Sequence, residues 1–499
     1  MAAIIPIGNE SASATVQQWV ALFGEPLRAL AEEVAAFRQA PPTPARTRFF
    51  EKKTAVLLRE AGRMLIEHEY NRVEPERLQE CPLRLRLAAE EYRRRPKSRN
   101  KIGTWFGTIE LRRYVYEALE PGEPCLFPLE RQLGIEAGLA TPALAERVGL
   151  WSAEHEQEQV RELLRQEHNV SWSVTSLRKL ASSLREGLAS FREEAPLSKL
   201  LELLAKADKS KGKHRPVLAA GRDGVHVPLR DDGYHEAATA TVSVLNRRGR
   251  RLGTVYLGQM PESGQETLSA QMTALLNKVL ATWQAQGHRP PRRAYVTDGG
   301  DHPKKYYRRV LRRMIDPWRP TRTLTWPWIV DFWHACGYVH QLAQGLFGEG
   351  YLAEKWFRKW RRWLRDRQQG VANVLRSAMW HFNNRKLTKA GNKMFWKGYG
   401  YLRKHAKWMH YAACRQHGLP IGSGVTEAAC KTVFSERLKR SGMTWSRQGG
   451  QVIVDLRVLV LSGVWQFAHQ RYLASRPQPT TVKPASYRPP HRQNVKIAA

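Results

Sequence analysis

Val217-Leu218-Ala219-Ala220-Gly221-Arg222-Asp223-Gly224-Val225-His226-Val227 reads as a strand, and it follows a charged linker, Lys206 to Arg215, after which the periodicity changes from helical to extended. Two more strands follow, Ala240 to Leu245 and Gly253 to Leu257, joined by the turn Asn246-Arg247-Arg248-Gly249, so the segment predicts a three-strand meander. Beyond it come a helix from Glu266 to Gln286, the short strand Ala294-Tyr295-Val296-Thr297 ending at Asp298-Gly299-Gly300, a basic helix from Pro303 to Met314, and Trp328-Ile329-Val330-Asp331. The order βββαβαβ is that of an α/β ribonuclease-H-like core, a mixed sheet carrying acidic residues at its strand ends.

Composition narrows the partner. Lys and Arg number 81 against 46 for Asp and Glu, a formal net charge of +35 with a sequence pI near 10.3. One substrate phosphate needs two or three cations, so an excess of this size excludes an ordinary small-metabolite enzyme and points to a polyanion, nucleic acid first. The 499 residues suffice for several domains with real cores. Cys81, Cys125, Cys336, Cys414 and Cys430 are scattered singly, without a C-x-x-C pair, which predicts a reduced cytosolic chain with no structural zinc. The opening residues lack the pattern of a secretion signal, and the apolar tract Val452 to Trp465 is broken by Asp455 and Arg457; no membrane span, and a cytoplasmic, nucleoid-associated location, are expected.

Upstream of the core, residues 1–75 predict two amphipathic helices, 15–40 and 47–71, separated by Pro41, Pro42 and Pro44. Residues 76–140 carry a basic stretch from Arg93 to Lys101 leading into a β-hairpin about Gly107, within Thr104 to Tyr116. Residues 141–205 return to helices, and the break at His168-Asn169-Val170 gives either a helix-turn-helix, with Arg178 and Lys179 offered to a DNA groove, or a plain helical hairpin.

The core itself divides into 213–340 and 415–474, separated by a helical insertion at 341–414 rich in Trp and Arg. Trp356, Trp360 and Trp363 share one helical face there, which favours core anchors over base stacking. From 475 to 499 the composition becomes Pro, Arg, Thr and Ser without periodicity and predicts a disordered basic tail.

Three acids stand out: Asp223 at the end of the first strand, Asp298 at the end of the fourth, and Glu427 at the start of a helix. Carboxylates converging in an otherwise positive protein repel unless cations hold them. Hard divalent ions with oxygen ligands meet that need, and a pair about 3.5–4 Å apart can activate water and stabilise the leaving oxygen of a phosphodiester. Gly422-Ser423-Gly424 lacks the spacing and following Lys-Ser/Thr of a Walker loop and predicts a turn and cap, with Ser423 or Thr426 accepting a backbone N–H.

Asp223-Gly224, Val296-Thr297-Asp298-Gly299, Asp331-Phe332-Trp333-His334-Ala335 and the block from Pro420 through Gly422-Ser423-Gly424-Val425-Thr426-Glu427 to Trp445 resemble the DDE transposases of bacterial insertion sequences, nearest the ISKra-type group related to Mutator-like transposases. The resemblance runs from about Thr104 to Trp465 and is strongest over 294–465. It implies that Asp223, Asp298 and Glu427 are catalytic and hold two Mg²⁺ ions, with Mn²⁺ able to replace them. It also implies that the helical stretch between Asp298 and Glu427 is the insertion such enzymes carry. Asp331 and His334 match a supporting aspartate-x-x-histidine element, and Lys431, Arg437, Lys439 and Arg440 fall on a DNA-binding surface. Asp301 or Asp331 could take the place of Asp298, and Asp231-Asp232 lie close to Asp223, whose neighbour Arg222 is a charge at a buried strand end.

The expectation is a DNA transposase that binds the terminal inverted repeats of its element as a homodimer or larger assembly, cuts with metal-activated water and joins the 3′-OH to target DNA, the insertion and tail holding the DNA backbone. A structure-specific nuclease on the same fold and a catalytically inactive DNA-binding descendant are the rivals; no RNA-recognition signature is present.

Overall fold

The computed structural model describes residues 12–482. They form two compact units: one comprises residues up to Val148, Gln157–Leu184 and residues from Leu473, the other Gly149–Glu156 and Arg185–Tyr472.

The first unit opens with α1 (Ala12–Leu22), α2 (Gly24–Arg38) and α3 (Pro44–Arg72). The single helix expected over 15–40 is broken at Phe23, whose backbone leaves the helical region at φ −95°, ψ 8°. Proline at the first turn and Thr43, whose hydroxyl accepts from the Arg46 N–H at 3.3 Å, start α3 three residues earlier than expected. Next come β1 (Arg84–Leu87), β2 (Glu90–Thr104) and β3 (Gly107–Ala118). The basic stretch Arg93 to Lys101 is not a lead-in to the hairpin but its first strand, paired with β3 and interrupted in register at Pro96, which has no N–H to donate. Trp105 and Phe106 make the turn, and Gly107 takes φ +134°.

The short helix α4 (Pro128–Gln132) is followed by α5 (Pro142–Glu154), α6 (Gln157–His168) and α7 (Val174–Gly187). Asn169 at φ +51° turns the chain between α6 and α7, and the Ser173 hydroxyl accepts from the Ser176 N–H at 3.1 Å to start α7. On α7, Leu177, Leu180, Ala181 and Leu184 are buried while Arg178 and Lys179 are exposed. The disordered tail expected from 475 is ordered where described: Arg476 donates to the carbonyls of Gly134 (2.6 Å) and Ile135 (3.0 Å), and Thr480–Thr481 pairs antiparallel with β1, covering that sheet edge. The rest of that expectation, 483–499, lies outside the described residues.

The second unit is a mixed α/β structure. Its elements are α8 (Phe191–Asp208), β4 (Val217–Leu229), β5 (Gly233–Leu245), β6 (Arg251–Gln259), α9 (Glu266–Ala285), β7 (Arg292–Thr297), α10 (Asp301–Arg309), the small hairpin β8 (Ile315–Asp316) and β9 (Arg319–Thr323), and β10 (Trp328–Val330). After these come α11 (Phe332–Phe347), α12 (Tyr351–Asp366), α13 (Gly370–Asn383), α14 (Lys389–His405), α15 (Tyr411–Gln416), α16 (Gly424–Ala429), a π turn (Cys430–Ser435), α17 (Glu436–Leu438) and α18 (Arg447–Leu461). Among the described residues no single helix is long and apolar enough to cross a membrane.

The five-stranded sheet has the order β10-β7-β4-β5-β6, antiparallel through β4–β5–β6 and parallel through β4–β7–β10. Strand period two divides its side chains. Leu218, Ala220, Ala238, Val242 and Val255 face α8, α9 and α10, and join Leu200, Leu204, Leu276 and Trp283 in one core. Val217, Ala294, Val296 and Ile329 face the helices from α11 onward and join Val339, Leu342, Trp356, Trp360 and Phe395. Helix α8 therefore belongs to the sheet's packing, and its Lys206 to Asp208 are helical rather than linker, because Leu203, Leu204 and Ala207 recur on its inner face.

Candidate active site

The register of the central strands decides what converges. Ala220 on β4 pairs with Tyr295 on the parallel β7, and three residues further along each strand stand Asp223 and Asp298. Asp223 points to the face covered by α11 and α16, whereas Arg222, one residue earlier, points to the opposite face. There Arg222 is 2% exposed, donates to the Ser269 hydroxyl (2.7 Å) and the Gln265 carbonyl (3.0 Å), and lies over the Tyr306 ring at 4.7 Å. Arg222 and Asp223 lie in the middle of β4, which runs on to Leu229, rather than at its end, and the charge of Arg222 has its own pocket, separate from the acids.

Asp223, Asp298 and Glu427 all line one cavity of about 550 Å³, together with Ser423 and, from α11, Trp333, His334, Gly337, Tyr338 and Gln341. Asp223 Oδ1 accepts from the Gly224 N–H at 2.8 Å. Burial, opposed by that amide and reinforced by the charges of Asp298 and Glu427, pushes the Asp223 carboxyl up to about 6. Beneath it the Cys430 thiol, pushed up to about 12 by burial and then by Asp223, stays protonated and is held by Thr239, Sγ to Oγ1 3.3 Å.

Asp298 sits on the loop leaving β7. Its Oδ1 accepts from the Gly300 N–H (2.9 Å), and its main-chain carbonyl accepts from the Tyr401 hydroxyl of α14 (2.6 Å). Gly299 has φ +89° and passes so close to His405 and Tyr401 that a Cβ there would meet them at 3.2–3.4 Å. Neither feature was legible in sequence, since Tyr401 lies a hundred residues downstream.

Helix α16 reaches the sheet through hydroxyls. Thr426 Oγ1 meets Thr241 Oγ1 of β5 at 2.6 Å, and Gly221 leaves the room, for a Cβ on it would fall 2.1 Å from Thr426 Oγ1. Thr426 faces the sheet, and Glu427, the next residue, is exposed to the cavity. The caps expected of Ser423 and Thr426 are not made by their side chains: Thr426 is spent on Thr241, and the Ser423 hydroxyl donates to Asp331 at 2.8 Å.

Asp331 is a clasp. It is 2% exposed; Oδ1 accepts from the His334 N–H at 2.6 Å, capping α11, and Oδ2 accepts from both the N–H and the hydroxyl of Ser423. With its oxygens engaged and no place in the cavity lining, Asp331 is corrected from possible second aspartate to the residue tying the loop before Glu427 to α11. His334 lines the cavity with its ring against Tyr338 and Tyr401, at 5.4 and 5.6 Å between centroids, and bonds Asp331 only through its main chain. Asp301 sits exposed in the first turn of α10, outside the lining, and Asp232 is paired on the surface with His235 and Arg447.

The expected DNA surface needs one correction. Arg437 is 1% exposed, donates to the Ser152 carbonyl at 3.2 Å and lies over Trp445 at 5.2 Å, so it is a core residue. Burial pushes its guanidinium down to about 10, with Arg440 and Arg457 adding to the effect. Arg440 is half-buried and engaged by Glu156 and the carbonyls of Glu436 and Glu154. Lys431 and Lys439 are exposed, although Lys431, on the π turn, does not line the cavity. Of the α11 wall, sequence reading singled out only His334; Gly337, Tyr338 and Gln341 recur with it at helical spacing, which is the signal that would have found them.

The donor set suits hard divalent cations: three carboxylates around solvent-accessible space, one of them raised by burial and then by the charges of the other two. Among the described residues no three His, Cys, Asp or Glu side chains close on one point as a ready-made metal site. The acids ring a cavity instead. Comparison with family models and with curated proteins gives no match for this chain.

Proposed function

We propose that the chain is a DNA transposase of the DDE type on a ribonuclease-H-like core, and that Asp223, Asp298 and Glu427 carry its phosphodiester chemistry. One observation carries the reading: three carboxylates from β4, the end of β7 and α16, far apart in sequence, line a single cavity in a chain of net charge +35. The strand order β10-β7-β4-β5-β6, with only the outer meander antiparallel, supports the ribonuclease-H-like assignment.

In this reading the three carboxylates hold two Mg²⁺ ions, with Mn²⁺ able to replace them; bound there, the ions supply charge neutralisation and a lowered water pKa. The protein's own groups do the placing. Asp223 and Asp298 are fixed by the β4–β7 register, Glu427 by the Thr241–Thr426 contact and the Asp331 clasp, and the α11 wall closes the opposite side. Hydrolysis of the strand frees a 3′-OH, which the same site then uses on a target phosphodiester. Double-stranded DNA bearing the element ends is the substrate, and two ends call for a dimer or larger assembly. Exposed Arg178 and Lys179 on α7 fit end binding.

The test is strand cleavage of a duplex carrying the flanking element ends, with Mg²⁺ or EDTA. Metal-dependent nicking at the boundary, lost in Asp298→Asn and Glu427→Gln while DNA binding persists, is expected. Cleavage that survives either substitution would refute the site, and tight binding without cleavage under any metal would favour an inactive DNA-binding protein.

A further inference from the structure

Helix α12 has more positive charge than its packing requires. Ala353, Trp356, Trp360 and Leu364 already occupy its buried face. On the outer side Lys355, Arg358, Lys359 and Arg362, at helical spacing, line a concavity of about 500 Å³. Glu354, paired with Arg358 at 2.5 Å, is the one acid among the residues lining it. Four cations gathered beside one carboxylate repel one another, and a polyanion relieves that.

Aromatic rings frame the stripe. Tyr351 (75% exposed) and Trp363 (36% exposed) line the same concavity at its two ends, with Lys355 and Arg367 over their rings at 5.7 and 5.5 Å. Helical rise over the seven residues from Lys355 to Arg362 gives a stripe of about 10 Å, enough for roughly three phosphates of one strand. A duplex offers no ring faces to such side chains because its bases are stacked and paired, whereas unpaired bases stack on them readily. The same turn also connects to the acid cavity: Arg361, beside Arg362, lies 6.0 Å over the ring of Trp333, which is 61% exposed and lines that cavity.

We propose that the outer stripe of α12 binds an unpaired nucleic-acid strand, phosphates on Lys355, Arg358, Lys359 and Arg362 and bases on Tyr351 and Trp363, beside the strand end at which the acids act. The assignment rests on the reading of the chain as a nucleic-acid enzyme and adds to it the form of the bound strand and its path.

The experiment is a fluorescence-anisotropy titration of the full chain with one labelled DNA oligonucleotide, single-stranded and annealed, across a salt series. Lys355→Gln/Arg358→Gln/Lys359→Gln/Arg362→Gln should lower the slope of log affinity against log salt for the single strand by about 3. Trp363→Ala should weaken the single strand roughly 5- to 150-fold and the duplex less than about 2-fold. The quadruple variant should keep its thermal midpoint, because its side chains are exposed; Trp363→Ala, which removes a ring 36% exposed and 5.3 Å from that of Trp360, should lower the midpoint, and a retained cooperative transition shows that it folds. A wild-type salt slope in the quadruple variant, or equal weakening of both DNA forms by Trp363→Ala, would overturn the proposal. Cleavage by Asp298→Asn is a separate readout: its survival would sink the active-site reading while leaving strand binding by α12 standing, whereas its loss together with a wild-type salt slope in the quadruple variant would do the opposite.

Discussion

Arg222 and Asp223 are neighbours on β4, yet the two faces of the sheet treat them in opposite ways. On the α9 side the cation is buried with Ser269, Gln265 and the Tyr306 ring around it. On the α16 side the carboxylate faces Asp298 and Glu427 across a cavity, its pKa raised to about 6 by burial and by those charges. One face gives its buried charge hydrogen-bond partners and a ring; the other leaves like charges together, an arrangement that costs stability and is retained where a ligand or reaction uses it.

The sharpest way to break this contrast is at Arg222. Arg222→Ala leaves a void under Tyr306 and orphans two polar partners, with an expected loss of about 3–4 kcal/mol in urea unfolding. Asp223→Asn should do the reverse. The folded carboxyl titrates near 6 and the unfolded one near 3.8, so the penalty is absent below about pH 4, grows as pH rises through that window and is complete above 6. Metal-free Asp223→Asn is therefore expected to gain up to about 3 kcal/mol at pH 8 and nothing at pH 4, with Mg²⁺ shrinking the gain. A stabilisation that is flat with pH would contradict the raised, buried carboxyl of Asp223.

Smaller substitutions sharpen the account of how the acids are placed. Gly221→Ala drives a methyl into Thr426 and should cost about 2 kcal/mol while lowering cleavage more than tenfold, because α16 must back away from the sheet. Tyr401→Phe removes the hydroxyl that holds the Asp298 carbonyl. About 1 kcal/mol in denaturant and a raised Mg²⁺ requirement for cleavage are expected, with DNA affinity unchanged.

How much of this was legible follows from range. The alternation along residues 217–227 gave β4, and the short run 294–297 gave β7, because strand period and turn residues are local signals. Asp298 and Glu427 were visible as strand-end and helix-start residues, whereas Asp223, expected at a strand end, lies in the middle of β4; their convergence needed the Ala220–Tyr295 register. Asp331 was ambiguous, since an aspartate three residues before a histidine can serve a metal or cap a helix, and only the Ser423 contact separates the two. Arg437 looked like part of a basic surface because its run of cations carries no sign that one of them turns inward under Trp445. The order of the segment after Ser475 was hidden for the plainest reason: its partner strand, β1, lies almost 400 residues earlier. Trp356, Trp360 and Trp363 were all read as core anchors from their spacing; the first two are buried at 7% and 8%, whereas Trp363 is 36% exposed, at the end of the stripe.

The central claim is that Asp223, Asp298 and Glu427 act together on a divalent cation. Calorimetric titration of Mn²⁺ into the full chain, beside Asp223→Asn, Asp298→Asn and Glu427→Gln, tests it without requiring the substrate sequence. Saturable binding in the wild type, weakened at least about tenfold by each single substitution, is the expected result. Equal binding in all four proteins would place the ion elsewhere and contradict the account.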